Sequence, residues 1–160
     1  MPAISLEHIL TTLVILNIAA FTVIIFTGFN TQISTRYKNA TIRNIVSDVS
    51  RAIASTYVDG VTSDFQPVAN TSSVIAVTKL VLPEKILSVG YILKVNNSTK
   101  TVCGTIDTGT ICNEVMGIPL GFTIIDNIIQ NKTLNITYWR ENSFMGESIG
   151  WRVIDHIVVD

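Results

Sequence analysis

A chain of 160 residues with a net charge of -1 has room for an apolar anchor and one modest domain, and offers no general electrostatic attraction to nucleic acid. Hydrophobic residues make up 48% and charged residues only 14%, an imbalance concentrated in the first third that argues against a uniformly water-exposed protein. No basic stripe is present, so nucleic acid is not among the expected partners.

The chain begins with a short polar lead, Met1 to His8, that contains no Lys or Arg. From Ile9 to Phe29 it reads ILTTLVILNIAAFTVIIFTGF, and no charged side chain interrupts it between Glu7 and Arg36. About 20 apolar residues suffice to cross the hydrocarbon core of a bilayer, and lipid forces a helix because it offers backbone groups no partner. The same stretch could equally be buried among copies of itself. Arg36, Lys38 and Arg43 follow the apolar run. By the positive-inside rule they would place the rest of the chain in the cytoplasm, whereas the glycosylation signals below call for export. A basic leader ahead of this sequence, later removed, would resolve the conflict.

Helical periodicity continues past Phe29. Ile33, Tyr37, Ile42, Ile45, Val46, Val49, Ala52, Ile53 and Tyr57 recur at helical spacing with charges on the other faces. One helix of about 80 Å is expected from Ser5 to Tyr57, bending near Gly28 and stopping at Asp59-Gly60. The expected first domain is therefore 1–59, with an apolar half at 4–29 and an amphipathic half at 30–59.

Residues 60–160 are expected to form a β head. After the loop VTSDFQPVANTSS, strands are expected at Val74 to Leu82, Tyr91 to Val95, Thr101 to Ile106, Thr110 to Val115, Phe122 to Ile129, Leu134 to Arg140 and Gly150 to Val159. Short strands with polar turns and no intervening helices point to a β-sandwich, giving an α+β chain. Tyr138, Phe122, Trp139 and Trp151 are expected in its core, with sugar stacking as the alternative for the tryptophans.

Cys103 and Cys112 flank GTIDTGTI. If Ile106 to Gly109 closes a hairpin, the cysteines face each other across it and can form a disulfide; two buried free thiols are the alternative. A disulfide implies an oxidising, extracellular setting or the cytosol of a hyperthermophile.

Asn-x-Ser/Thr occurs at Asn39, Asn70, Asn96, Asn97, Asn131 and Asn135. Chance would supply about two such sites, so the set favours a glycosylated, exported head. Asn96 and Asn97 are too close for both to be occupied, and all but Asn39 are expected in or beside turns. No catalytic or metal constellation is present: His8 and His156 lack ligand-spaced neighbours, so neither an enzyme nor a cofactor is expected.

The polar lead with Ser5 and Glu7, the uncharged Ile9 to Phe29, the amphipathic continuation to Tyr57 and the sequon-rich β region resemble the archaeal branch of the type IV pilin superfamily. Within the β region, Leu82-Pro83-Glu84-Lys85-Ile86 ahead of Gly90-Tyr91 is similar to a pilin motif. The resemblance implies an extracellular filament for adhesion, membrane-inserted before assembly, with immunoglobulin-like, glycosylated heads around a core of bundled helices. Self-association, a prepilin peptidase and a pilus assembly machinery are the implied partners. Ile9, Leu13, Leu16, Ala20, Ile24 and Gly28 become expected core contacts. Glu7 becomes a register residue, paired with a neighbour's amino terminus. Glu7 matches the acidic fifth position of bacterial relatives only if the mature chain begins at Ala3. Archaellum accessory proteins, which stay singly anchored and contact the S-layer through a sandwich domain, are the alternative resemblance.

Overall fold

The computed structural model describes residues 6–119, 121–125, 133–144 and 151–159, with 143–144 and 151–156 described through their backbone. It divides into two compact units, Met1–Tyr37 and Lys38–Asp160. Helix α1 runs Leu6–Thr62 without interruption, Gly28 included. The strands are β1 Thr71–Val81, β2 Ile92–Asn96, β3 Thr101–Ile106, β4 Gly109–Glu114, β5 Thr123–Ile125, β6 Thr133–Phe144 and β7 Trp151–Val159.

In the second unit, α1 buries one face: Ile42, Ile45, Val46, Val49, Ala52, Ile53, Thr56 and Gly60. Their three- and four-residue spacing is the helical period that the sequence displays. This face enters the same hydrophobic cluster as Leu93 and Val95 of β2, Val102 and Ile106 of β3, Ile124 of β5, Leu134, Ile136 and Tyr138 of β6, and Ile157 and Val159 of β7. Two glycines permit the close approach. A Cβ on Gly104 of β3 would lie 2.7 Å from Val46 and 2.8 Å from Ile42, and one on Gly60 would lie 2.3 Å from the Tyr138 ring.

The helix ends at Thr62, two residues beyond the Asp59-Gly60 near which its stop is expected. Gly60 stays in helical conformation and serves to admit the Tyr138 ring, so it is not a left-handed cap. The helix ends under Arg140 of β6, whose buried guanidinium donates to the carbonyls of Gly60 (3.2 Å), Ser63 (2.9 Å) and Phe65 (2.8 Å). A cation from β6 thus ties the helix end, whose last turn has no basic residue of its own, to the first residues of the following loop; the Gly60 carbonyl also accepts from the Ser63 N–H at 3.3 Å.

The strands form a four-stranded sheet in the order β1-β6-β7-β5 and a three-stranded sheet in the order β2-β3-β4. All pairs are antiparallel except β5 with β7, which is parallel. The chain is therefore α+β, a long apolar helix followed by two sheets. The immunoglobulin-like label is not established by this arrangement, in which the helix is part of the core and one sheet carries a parallel pair.

The expected strand at Phe122 to Ile129 is a short β5, with 126–130 outside the described residues. One core assignment is overturned. Trp139 lies half-buried on the face of β6 opposite Leu134, Ile136 and Tyr138, because alternation along the strand gives the core to Tyr138 and turns its neighbour outward. The Trp151 side chain lies outside the described residues.

Candidate functional site

In the first unit the candidate surface is the apolar part of α1 itself. It is long and apolar enough to cross a membrane, and none of its apolar window is covered by protein. The expected contact residues Ile9, Leu13, Leu16 and Ile24 are 48%, 51%, 60% and 65% exposed, Ala20 is exposed, and a Cβ on Gly28 would meet nothing within 4 Å. Monomeric water-soluble proteins rarely expose apolar patches of more than a few hundred Å². Surface this extensive calls for lipid or for other protein.

The polar side chains within this segment do not contradict that demand. Thr11 donates to the Glu7 carbonyl, Thr12 to His8, Asn17 to Leu13, Thr22 to Ile18, Thr27 to Val23, Thr31 to Thr27 and Thr35 to Thr31, all four residues back at 2.8–3.0 Å. Each threonine hydroxyl, and one N–H of the Asn17 amide, thereby donates within the helix, which removes much of the cost of placing these donors in an apolar medium. Glu7 is exposed in the first turn, where a carboxylate is favoured by the helix dipole.

In the second unit, β3 and β4 form the expected cysteine hairpin. Ile106 pairs with Gly109 and Cys103 with Cys112 across it, and the cysteines are bonded with their Cα atoms 4.0 Å apart. Val102, Gly104 and Ile106 point inward, so the disulfide lies on the outer face. The turn that closes the hairpin docks on α1 through a Lys38–Asp107 ion pair of 2.6 Å and a hydrogen bond of 2.6 Å from Thr108 to the Asn39 side-chain oxygen.

The sequons separate by what their carboxamides do. Asn39 is half-buried and accepts from Thr108. Asn96 accepts from the Ser98 and Thr99 backbone N–H groups, which shapes its turn. Asn97 accepts from Lys100 Nζ at 2.6 Å and from the Ile124 N–H at 2.8 Å, tying the β2–β3 turn to β5. Asn70, exposed in a turn at φ 58°, and Asn135 make no side-chain hydrogen bond among the described residues. Asn135 lies inside β6, and Asn131 lies outside the described residues.

Lys100, like Arg140, is a buried cation that sequence reasoning missed. It is 3% exposed and donates to Asn97 and to the Phe122 carbonyl, and burial holds its ammonium below the usual lysine range. Only its position in a polar NNSTK turn hinted at it, and that composition reads as surface. The Leu82 to Tyr91 motif is packing: Leu82 and Ile86 are buried and the Tyr91 hydroxyl donates to the Pro83 carbonyl, with burial raising the Tyr91 pKa. Among the described residues no three His, Cys, Asp or Glu are grouped to hold a metal. Comparison with protein-family models, with curated proteins and with solved structures found no match to the chain.

Proposed function

We propose that the chain is the repeating subunit of an extracellular, type IV pilin-like filament, inserted in the membrane before assembly. The apolar part of α1 would form the shared core and the β head the glycosylated surface. The observation that carries the reading is the uncovered, charge-free helix surface whose threonine hydroxyls are bonded to their own backbone. Such a surface suits lipid and a dry helix bundle alike. The exposed disulfide and the free sequons on the second unit suit an oxidising exterior. Prepilin peptidase and an assembly machinery are the partners this reading requires, adhesion is the role it assigns, and no catalytic step is part of it.

A second reading is favoured by one measure. Glu7 and Arg36 bracket the uncharged interval and lie about 44 Å apart along an α-helix, close to the roughly 40–45 Å of a bilayer with its headgroups. A permanently anchored subunit whose head contacts the cell envelope would use that match directly. Shearing the cells and sedimenting the supernatant separates the two. The proposal expects thin filaments containing this chain, and a chain found wholly in the membrane fraction refutes it.

A further inference from the structure

The outward face of the four-stranded sheet has an unusual composition. Along β6, Leu134, Ile136, Tyr138 and Arg140 point into the core, which leaves Asn135, Thr137 and Trp139 outside. Register places Val74 beside Trp139 and Lys79 beside Asn135. It also aligns Val77, Thr137, Val158 and Ile125 in one row across all four strands. Val74, Val77 and Ile125 are 45%, 51% and 42% exposed, and Trp139 and Val158 are half-buried. The solvent side of an antiparallel sheet is ordinarily polar; this one carries β-branched aliphatics and a tryptophan. Exposed aliphatics and a half-buried tryptophan side by side make this face a candidate binding surface.

The polar residues on it indicate the occupant. Asn135 and Thr137 are the acceptor and the hydroxyl of one sequon, and both lie on this face. The Asn135 carboxamide is unengaged among the described residues, unlike those of Asn39, Asn96 and Asn97. Trp139 is four residues further along the same strand, about 14 Å away, within reach of the second or third sugar of a chain rooted at Asn135. We propose that Asn135 carries an N-linked oligosaccharide that lies over this face and stacks a sugar ring on Trp139, so that the apolar patch is covered by the protein's own glycan. The C–H edges of a sugar ring are slightly positive and complement the negative face of the indole.

Attachment needs an oligosaccharide activated on a lipid phosphate. The Asn135 amide nitrogen forms a bond to the anomeric carbon, the carbon–oxygen bond to phosphate breaks, the lipid phosphate leaves with the electron pair, and the nitrogen loses one proton. The inference rests on the exported head of the proposed function.

Its test uses the full chain recovered from the cells that make it, as wild type, Asn135→Gln, Thr137→Val and Asn70→Gln. Glycopeptide mass spectrometry reads occupancy, and hydroxyl-radical footprinting reads exposure. The expected result is a sugar at Asn135 in wild type. Both Asn135→Gln and Thr137→Val should lose it and gain oxidation of Trp139 and Val77 several-fold, while Asn70→Gln leaves that labelling unchanged. Thr137→Val keeps the β-branched shape, so agreement between the two variants excludes simple misfolding. Asn70 occupied with Asn135 bare overturns the inference and leaves the exported head standing. Both bare overturns the inference and counts against export as well. Trp139 equally protected with and without the glycan overturns it in favour of another occupant, such as a second copy of the chain.

Discussion

Replacing Gly60 with alanine sets two effects of opposite sign against each other. Gly60 lies within α1 at an ordinary helical φ, so propensity alone favours alanine there by about 1 kcal/mol. Packing opposes it. The added Cβ would stand 2.3 Å from Cγ and Cδ2 of Tyr138 and 2.5 Å from Cδ1, where carbon atoms prefer separations of about 3.5–4.0 Å. The ring is 0% exposed and stacked on Phe122 at 5.7 Å, with Tyr57 at 6.4 Å, so it has nowhere to retreat. Overpacking of this kind costs about 1–3 kcal/mol, and so severe an overlap belongs at the upper end. The net expectation for Gly60→Ala is a loss of about 2 kcal/mol after the propensity gain is subtracted. Gly28→Ala is the control, since its Cβ meets nothing and propensity acts alone. Urea unfolding of the full chain in detergent micelles, followed by near-ultraviolet circular dichroism of the aromatic cluster, measures both. A Gly60→Ala chain as stable as wild type would mean that the Tyr138 ring does not rest on the helix, and the packing described for the core would be wrong.

Three further outcomes are expected. Ile24→Asp puts a carboxylate near the middle of the uncharged interval at a cost of about 3 kcal/mol in a bilayer, so membrane recovery and sheared filaments should both fall; undiminished filaments would count against the proposed role of the segment. The disulfide closes a short loop, with a sequence separation of 9, and Cys103→Ser with Cys112→Ser should cost at most about 3 kcal/mol. Alkylation with and without reductant reads the bond directly, and two free thiols in unreduced protein would refute it. Burial holds the Lys100 pKa below its usual 10.5, so the unfolded chain takes up the proton more readily and stability rises with pH between the lowered value and 10.5. The stability difference between wild type and Lys100→Met should therefore grow in favour of wild type across that alkaline window. A pH-independent difference would show that the ammonium is solvated in the folded chain.

Periodicity and turn chemistry exposed much of this architecture in advance. The helix, most of the described strands and the pairing of Cys103 with Cys112 follow from local spacing, the last because a hairpin register is a consequence of its turn. The destination of Ile42 to Ile53 was open, since an apolar helix face fits sister helices as well as strands. The contacts place it on the sheets. Tyr138 and Trp139 are adjacent and both aromatic, and only the register of β6 decides which enters the core. The parallel β5–β7 pair joins segments distant in sequence, and such pairing leaves no local mark. Lys100 shows the limit most plainly: a lysine between polar turn residues becomes buried because strands from elsewhere close over it.

The threonines and the asparagine along the apolar stretch of α1 carry a kinetic implication. A side chain bonded to water or to lipid headgroups must break that bond before it can enter a protein interface, and the rupture adds to the barrier for association. Here each threonine hydroxyl and one N–H of Asn17 is held by a carbonyl one turn back, so these bonds stay the same in any apolar medium. It could move from a lipid environment into contact with other helices by sliding methyl and methylene surfaces past one another. The rate of such a transfer would then depend on the viscosity of the medium and the fit of the surfaces, with no threonine hydrogen bond to exchange.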